Sequence, residues 1–448
     1  MIEIASVGGY NEVGKNMTAV RVDDEVVILD MGLFLPAVVG FEEEQGLLSS
    51  DELIKIGAIP NDNAIKEWWP KVKAIIVSHC HLDHLGAVPY LCNKYKAPII
   101  GTPYTIEVLK RITSDNDIRL KNKLVPTQLS KRFKISENIS CELINVTHST
   151  LQTAIVVLFT KYGCIVYAND FKLDENPVLG QKTNVTSLKK LKDVKLLILD
   201  SLYSKFREKT PSENIARLML KEALLKEEHK GKAIIVTTFS SHLARLNSIV
   251  EFGKKLNRRI VFLGRSLGKY VGAAKDLNLI NFTKNIDIVI WPKQIQKKLK
   301  EIEKNGRGKY LIVCTGNQGE PRSVLSKIIN KKFQFNFLPN DLVVFSCNVI
   351  PTEVNINNRD QMESKLKSHK VKILKGVHQS GHACGEDMKN LIKLLKPENI
   401  IPTHGDHDKV IHLSNIAIEM GYEYGKTVHL LNNGDKLDLE HGKERRNN

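Results

Sequence analysis

Short apolar runs rich in β-branched residues, separated by polar turns, recur through the first two hundred residues of the chain. The runs cover residues 6–9, 18–22, 26–29, 74–77, 140–145, 154–159, 164–167 and 196–199. Runs of this length and composition are typical of strands. Histidines and aspartates repeatedly follow the end of a run, which is where open sheets place their functional residues. This part of the chain therefore predicts sheet structure with a site at the strand ends.

A different pattern begins near residue 211 and continues to about residue 350. An amphipathic helix is predicted from Pro211 to Gly231, and three strand–turn–helix units follow, with strands at residues 233–237, 260–263 and 310–313. Such alternation predicts a parallel α/β sheet with right-handed crossovers.

After Pro351 the first pattern returns, with a strand at 371–374, a helix at 386–395 and a strand at 400–401 that ends at His404. We therefore interpret the middle block as an inserted domain and divide the chain into segments 1–205, 206–352 and 353–448. The Lys-rich tail after Leu439 is expected to be frayed.

The composition indicates the class of protein. With 448 residues, 42% hydrophobic and 26% charged, the chain is expected to form two compact globular units. No apolar stretch approaches the roughly 18 residues of a membrane span, and the start lacks the features of a secretion signal, so a cytoplasmic protein is expected. The seven cysteines are scattered, which argues against a disulfide framework or a cysteine zinc site.

The formal net charge of +16 suggests a polyanionic partner such as a nucleic acid. Charge alone does not decide this, because a Lys-rich chain is equally compatible with the amino-acid usage of its genome.

The most informative segment places three histidines and an aspartate within six positions, directly after a predicted strand: His79, His81, Asp83 and His84. Imidazole nitrogen and carboxylate oxygen are zinc ligands, and catalytic zinc sites leave one position open for water. On an extended backbone the first two histidines point the same way, and the other two residues turn toward a second metal. A single histidine would be an ordinary core or surface residue, whereas four residues of metal-ligand type packed together predict a metal site.

Three more ligand-type residues follow predicted strand ends: His148, Asp170 and His404. Each alone is equally well a capping or turn residue. Together with the cluster they complete two coordination spheres, in which Asp170 is the natural bridging carboxylate. The histidines at positions 229, 369, 412, 429 and 441 lie in polar or helical contexts and are interpreted as surface residues.

The HxHxDH cluster with the later His, Asp and His resembles the metallo-β-lactamase superfamily, and other segments resemble its β-CASP branch, within it the ribonuclease J family. The segments are Gly8 to Met17, Leu29 to Gly32, Pro60 to Asp62, Asp200, Thr315 to Pro321, His378 to Ala383 and Pro402 to Asp406. The resemblance implies an α/β protein, an αββα sandwich with an inserted β-CASP α/β domain.

The resemblance also implies roles for single residues. His79, His81 and His148 would bind one Zn²⁺, Asp83, His84 and His404 the other, and Asp170 would bridge them, which makes two zinc ions per chain. Asp30 would support the metal loop through a ligand histidine. Asp200 and His382 resemble a pair in which an acidic residue orients a histidine near the leaving group. These two residues and Asp83 are the expected catalytic residues. His378 and Ser380 resemble contacts to a substrate phosphate.

Three turns between a predicted strand and helix could offer backbone N–H groups to anions, at residues 239–241, 264–266 and 315–319. Ser240 and Ser241 are therefore candidate phosphate-binding residues, with Arg265 and Arg322 as possible partners. Each turn is equally well explained as part of an α/β sheet. Cys80, between two ligands, is expected to point away from the metals.

The function that these expectations favour is a zinc-dependent ribonuclease that hydrolyses RNA phosphodiester bonds, acting as a 5′-3′ exoribonuclease in RNA decay and maturation. The alternative is an endoribonuclease resembling the nuclease of the cleavage and polyadenylation specificity factor. The archaeal relatives of that factor carry KH modules ahead of the catalytic domain, whereas this chain is expected to begin directly with the catalytic fold, which disfavours the alternative. We expect the shorter, archaeal form of the family, because the stretch after His404 is too short for the C-terminal domain of the bacterial form. RNA is the expected partner, no membrane association is expected, and a homodimer is left open.

Two further classes are weighed against the nuclease. A non-catalytic scaffold is disfavoured by the complete ligand set. A small-molecule hydrolase such as a lactamase is disfavoured by the inserted domain, the loop from His378 to Ala383 and the basic charge.

Overall fold

A computed structural model describes residues 1–38, 48–226 and 229–439, and the backbone of strand 443–445. The chain divides into two compact units. The first unit comprises Met1–Glu175, Gln181–Thr210 and Gly381–Asn448, and the second comprises Asn176–Gly180 and Pro211–Ser380.

The strands are numbered in chain order. The first eleven, in the first unit, are β1 (Ile2–Gly8), β2 (Met17–Val22), β3 (Glu25–Leu29), β4 (Val72–Val77), β5 (Ile99–Gly101), β6 (Leu124–Pro126), β7 (Arg132–Lys134), β8 (Ser140–Asn145), β9 (Ala154–Thr160), β10 (Gly163–Ala168) and β11 (Val194–Asp200). Those of the second unit are β12 (Ile234–Thr237), β13 (Arg259–Leu263), β14 (Asp287–Val289), β15 (Tyr310–Cys314), β16 (Leu342–Phe345) and β17 (Lys372–Leu374). The first unit ends with β18 (Asn399–Thr403), β19 (Lys436–Asp438) and β20 (Lys443–Arg445).

The helices follow the same convention. The first unit begins with α1 (Leu35–Val38), α2 (Ser50–Lys55), α3 (Leu82–Leu85), α4 (Val88–Leu91), α5 (Pro103–Asp115) and α6 (Val185–Lys189). The second unit holds α7 (Glu213–Leu225), α8 (Leu243–Lys255), α9 (Arg265–Asp276), α10 (Pro292–Asn305), α11 (Val324–Ile329) and α12 (Glu353–Ser368). The first unit then resumes with α13 (Gly385–Leu395) and α14 (His407–Glu419). Short 3-10 helices lie at Asp62–Lys71, Cys92–Lys94 and Arg307–Lys309.

Two sheets face each other in the first unit. One has the order β20-β19-β1-β2-β3-β4-β5-β6 and the other β18-β11-β10-β9-β8-β7. Alternate residues of both sheets meet in one core, for example Val27 and Ile76 from the first sheet with Val156 and Ile165 from the second. The intervening positions of the second sheet pack against α13 and α14 in a separate core. Period-two alternation thus buries both faces of this sheet, one against the other sheet and one against helices.

The second unit is built on one six-stranded sheet of order β14-β13-β15-β12-β16-β17, in which every pairing is parallel. The strands read as apolar runs because parallel strands are covered on both faces. Side chains of α10, α11 and α12 pack on one face, including Leu299, Leu325 and Met362. The mixed architecture confirms the predicted fold class, a metallo-β-lactamase sandwich with an inserted α/β domain.

The limits of the inserted segment differ from the sequence-based division at residues 206 and 352. The second unit begins at Pro211, and it continues to Ser380. It does so because α12 packs into the same core and β17 pairs in parallel with β16, from Leu342↔Lys372 to Val344↔Leu374. The strand near residue 371 therefore belongs to the inserted domain and not to the returning part of the first unit.

Two smaller predictions concern the ends of elements. The helix predicted from Pro211 to Gly231 ends at Leu225 in α7. In the tail predicted to be frayed, Lys443–Arg445 pairs with β19, and residues 440–442 and 446–448 lie outside the described part. Within the described part of the chain, no helix combines the length and apolar character that crossing a membrane requires.

Candidate metal centre

All seven predicted ligands follow strands of the first unit. His79 and His81 come after β4, and Asp83 and His84 lie on α3, a single helical turn whose N-cap is His81. His148 follows β8, Asp170 follows β10 and His404 follows β18. His404 adopts a positive φ of 55°, a left-handed conformation that is costly for a residue with a side chain.

Three histidines and one carboxylate oxygen form a first group of donor atoms. Nδ1 of His81 lies 3.0 Å from Nε2 of His79 and 3.1 Å from Nε2 of His148. Oδ2 of Asp170 lies 3.5 Å and 3.3 Å from the Nε2 atoms of His79 and His148. The four donor atoms lie within 4.8 Å of one another. Three imidazole nitrogens and one carboxylate oxygen that converge on one point are the arrangement that a tetrahedral metal requires.

A second group shares Asp170 through its other oxygen. Oδ1 of Asp170 lies 3.2 Å from Nε2 of His84 and 3.8 Å from Nε2 of His404. Oδ2 of Asp83 lies 3.7 Å from each of these two nitrogens. These four donors also lie within 4.8 Å of one another. The structure thus brings all seven predicted ligands together as two groups joined by one carboxylate.

A metal fits these groups better than a network of hydrogen bonds does. Oδ1 of Asp170 is buried, and although Nε2 of His84 lies 3.2 Å away, no described residue donates a hydrogen bond of good geometry to it. A buried carboxylate oxygen without a partner is costly, and a cation removes that cost. The donor set of imidazole nitrogens and carboxylate oxygens is also the one that zinc prefers in proteins.

Burial keeps four of these histidines neutral. It holds the pKa values of His79, His81 and His148 well below the usual range, and it lowers the pKa of His404 to about 3. A neutral imidazole offers the lone pair that a metal needs, so no proton has to be removed from these rings before binding.

His84 and the carboxylates behave differently. Burial would lower the pKa of His84, but the neighbouring carboxylates of Asp170, Asp83 and Asp30 raise it well above its usual value. A bound cation would supply the positive charge that these carboxylates attract. Binding of a metal and loss of the His84 proton are therefore linked.

Asp30 holds the loop that follows β4 from behind. Its carboxylate accepts hydrogen bonds from the backbone N–H and the hydroxyl of Ser78, at 2.7 and 2.8 Å, and from Tyr167 Oη at 2.9 Å. Oδ2 also lies 2.7 Å from Nδ1 of His84. A carboxylate on the far nitrogen leaves Nε2 of a histidine free for a metal and fixes the ring. Asp30 is fully buried and has φ 61°.

Asn16 serves the same purpose for His404, and sequence reasoning assigned it no role. Its side chain lies within 3.1 Å of Nδ1 of His404, and its Nδ2 donates to the backbone oxygen of Asp83 at 3.1 Å. Oδ1 in turn accepts from Asn169 Nδ2 at 3.0 Å. Asn16 lies in the segment from Gly8 to Met17 that carries the family resemblance, but one buried amide has no spacing signal of its own.

Next to the metal ligands, His382 is held by Asp200. Oδ2 of Asp200 lies 3.0 Å from Nδ1 of His382, and Nε2 of His382 lies 3.7 Å from Oδ2 of Asp170. Burial raises the pKa of the Asp200 carboxyl to about 6. Burial would lower the pKa of His382, but the carboxylates of Asp170 and Asp200 outweigh it and raise the pKa to about 9. His382 can therefore carry a proton at the edge of the centre.

The remaining predicted contacts lie in the second unit. Ser240 and Ser241 stand between β12 and α8, and Ser241 is mostly buried. Nδ1 of His378 lies 3.4 Å from Nη1 of the buried Arg245, and Ser380 is the last residue of the unit. Arg265 and Arg322 are exposed. The phosphate-binding role given to the four Ser and His positions stays a prediction.

Cys80 and the five histidines interpreted as surface residues are not part of the candidate metal centre. The thiol of Cys80 lies 3.2 Å from Oγ1 of Thr150, and burial raises its pKa to about 12, so it offers no thiolate to a metal. Of the five histidines interpreted as surface residues, His229 and His429 are buried, which corrects that interpretation. His369 and His412 are half-buried, and His441 lies outside the described part of the chain.

Three segments of the chain match known families, in the order of the domains predicted from the sequence. Residues 10–158 match the metallo-beta-lactamase superfamily, residues 231–362 match the beta-CASP domain of ribonuclease J, and residues 369–430 match a Zn-dependent metallo-hydrolase RNA specificity domain. A crystal structure of a protein of unknown function from Enterococcus faecalis V583 has a TM-score of 0.66 at 17% identity and covers 97% of this chain and 99% of that chain. That likeness shows a shared fold.

Curated relatives extend the match over nearly the whole chain. Ribonuclease J of Methanocaldococcus jannaschii is 45% identical over 98% of this chain and 99% of its own length, and ribonuclease J of Pyrococcus abyssi is 42% identical over 98% and 97%. Ribonuclease J of Helicobacter pylori strain J99 is 30% identical over 98% of this chain and 60% of its own length. The chain therefore belongs to the ribonuclease J family, in the β-CASP branch of the metallo-β-lactamase superfamily.

Proposed function

We propose that this protein is a zinc-dependent ribonuclease that degrades RNA from its 5′ end, in RNA decay and maturation. Membership of the ribonuclease J family and the metallo-hydrolase and β-CASP domains support a metal-dependent ribonuclease. The observation that carries the proposal is the position of Asp170, shared by two groups of histidine ligands and 3.7 Å from His382.

Two zinc ions fit the donor set. His79, His81 and His148 would hold one, Asp83, His84 and His404 the other, and Asp170 would bridge them. When bound, two zinc ions supply Lewis-acid activation of water and neutralise negative charge on a phosphate. The protein contributes the fixed positions of the ligands, through the hydrogen bonds of Asp30 and Asn16 behind them.

His382 is assigned as the general acid. Cleavage of a phosphodiester bond needs a proton for the departing oxygen, and a positioned side chain accelerates such a step by about 10² to 10⁴. The Asp200 carboxylate accepts from Nδ1 and so leaves the Nε2 proton free to be donated toward the side of Asp170. Asp200 and His382 act together in this step, and Asp83 takes part as a metal ligand.

The proposal that RNA is degraded from its 5′ end depends on residues of the second unit. The turns after β12, β13 and β15 stand at the carboxyl ends of three neighbouring parallel strands, where open α/β sheets bind ligands. Ser240, Ser241 and the turn at residues 315–319 are assigned to a 5′-phosphate, and His378 and Ser380 to a phosphate of the chain. Backbone N–H groups before a helix suit such a terminal monophosphate.

The test compares three RNAs of one sequence that carry a 5′-monophosphate, a 5′-triphosphate or a 5′-hydroxyl group. We expect mononucleotides to be released processively from the monophosphate RNA, with the other two degraded more slowly. A 5′-hydroxyl end would leave the N–H donors of the phosphate site empty, and each unpaired buried donor costs about 1 to 3 kcal/mol. Equal degradation of all three RNAs, or internal fragments alone, would replace this proposal with the endoribonuclease alternative.

A further inference from the structure

Four aromatic rings stand in contact from a metal-ligand position to the surface of the first unit. The ring of His404 lies 5.7 Å from that of His382, with 15° between their planes, and His382 lies 5.9 Å from Tyr203 at 19°. Tyr203 in turn lies 5.6 Å from Phe206 at 33°. His382 is therefore nearly parallel to two neighbouring rings, and the series ends at Phe206.

Phe206 is exposed, with 49% of its surface accessible. Its backbone oxygen accepts a hydrogen bond from the N–H of Gly385 at 2.7 Å, which fixes the backbone beneath the ring. Gly385 also lines a cavity of about 320 Å³, together with Arg207, Glu386, Lys389 and Ile416.

Cations flank the exposed ring. Lys205, Arg207 and Lys209 alternate with Phe206 and Glu208, and all five residues are exposed. Each has an acidic neighbour: Lys205 contacts Asp408, Arg207 contacts Glu419 at 2.8 Å, and Lys209 lies 3.5 Å from Glu175. Arg207 is held by two hydrogen bonds to Glu419, at 2.8 and 3.0 Å. The pairs of Lys205 and Lys209 are single exposed contacts, which contribute little free energy and leave these ammonium groups able to turn toward a phosphate.

From this arrangement we infer that Phe206, backed by Tyr203, is a stacking surface for a base of single-stranded RNA next to the bond that is cut. The inference rests on the proposed function and names a substrate contact for it. Proteins that hold single strands combine aromatic rings for the bases with cations along the backbone. Here the ring surface is continuous with His382, so a base on Phe206 lies close to the reacting phosphate.

The first experiment measures kcat and KM for hydrolysis of a single-stranded RNA by the metal-loaded full-length protein and by Phe206→Ala. We expect KM to rise about tenfold, the loss of one base stack, with kcat changed less than about twofold. Phe206→Trp should restore the wild-type KM, because any planar ring stacks on a base. Tyr424→Ala is the matched control, since Tyr424 is also an exposed aromatic residue of the first unit, at 60%.

The second experiment removes the base instead of the ring. A series of RNAs with one abasic nucleotide, moved along the strand, should show one position near the cleaved bond at which KM rises about tenfold for the wild type. At that position Phe206→Ala should show no further rise, because ring and base act through one contact.

The outcomes separate the inference from the proposed function. An unchanged KM in Phe206→Ala, with RNA hydrolysed normally by the wild type, would overturn the stacking surface alone. The stacking surface would also be overturned if the effects of the abasic nucleotide and of Phe206→Ala on KM multiplied at every position. Absence of RNA hydrolysis by the metal-loaded wild type would overturn the proposed function itself.

Discussion

The carboxylate of Asp200 lies 3.0 Å from Nδ1 of His382, although 182 residues separate the two in sequence. Asp200 ends β11, and His382 lies just before α13, so the contact is made only when these two parts of the first unit fold together. The contact fixes the ring so that Nε2 faces Asp170.

The first prediction concerns this pair. His382→Ala should keep its bound metal and lose about 10² to 10⁴ in the rate of RNA hydrolysis, because it removes a proton donor and no ligand. Asp200→Asn should lose less, since the ring stays in place. Single-turnover rates with matched elemental analysis test this, and a His382→Ala protein that cuts RNA at the wild-type rate would contradict the assignment.

The second prediction concerns the metal. Elemental analysis of chelator-treated and re-metallated protein should show two zinc ions per chain in the wild type. His81→Ala should lose one of them, because it removes a donor from only the first group. Asp170→Ala should lose both, because both groups use its carboxylate. A metal-free native protein with full activity would be incompatible with the mechanism.

The third prediction tests the support behind the ligands. Asp30→Asn should weaken zinc binding by about 10- to 100-fold, because the amide cannot hold both His84 and Ser78 as the carboxylate does. Asp62→Asn is a matched control, a fully buried carboxylate of the same unit that contacts Lys94 and Tyr95 instead. Zinc affinity measured by competition with a chelator should fall in Asp30→Asn only; an equal fall in both variants would indicate a general loss of stability.

The fourth prediction concerns a buried ion pair in the second unit. Arg245 is fully buried and binds Glu213 through two hydrogen bonds, of 2.6 and 2.9 Å. It also donates to the backbone oxygens of Ser346 and Val377, and so holds the segment that leads to His378. Glu213→Gln leaves Arg245 without its counter-charge and should reduce the free energy of unfolding by about 3 to 5 kcal/mol.

The same pair predicts a pH dependence. Burial would raise the pKa of Glu213, but His242 and Arg245 outweigh it and hold the pKa well below the usual value. Because the folded pKa is below the unfolded value of about 4.3, this stabilisation is complete above that value and is lost as pH falls. Urea unfolding between about pH 3 and pH 7 should therefore show a shallower acid loss in Glu213→Gln.

The control for this measurement is Glu222→Gln, which changes an exposed glutamate on α7, the helix that also carries Glu213. A substitution at an exposed position changes the free energy of unfolding by about 0.5 kcal/mol or less, so this variant should unfold almost as the wild type does. Equal effects of the two substitutions would contradict the role assigned to the buried pair.

The sequence by itself determined most of the strands, the candidate ligands and the parallel character of the inserted sheet, whereas the short strands β5, β6, β7, β14, β16, β19 and β20 were not predicted. These features are local: a strand shows in a few alternating residues, and His79, His81, Asp83 and His84 are close in space because they are close in sequence. The family resemblance added the distant members His148, Asp170 and His404, which separately look like turn residues.

Only the tertiary structure decided which distant residues meet. The pairing of β17 with β16 extends the inserted domain to Ser380, and the fold of the first unit places Asn16 behind His404 and Phe206 at the end of the ring series. Burial of His229 and His429 was likewise decided by packing and not by their polar neighbours in sequence. The physical reason is that burial and long-range contact depend on how separate elements pack, whereas local periodicity records only which face of one element is apolar.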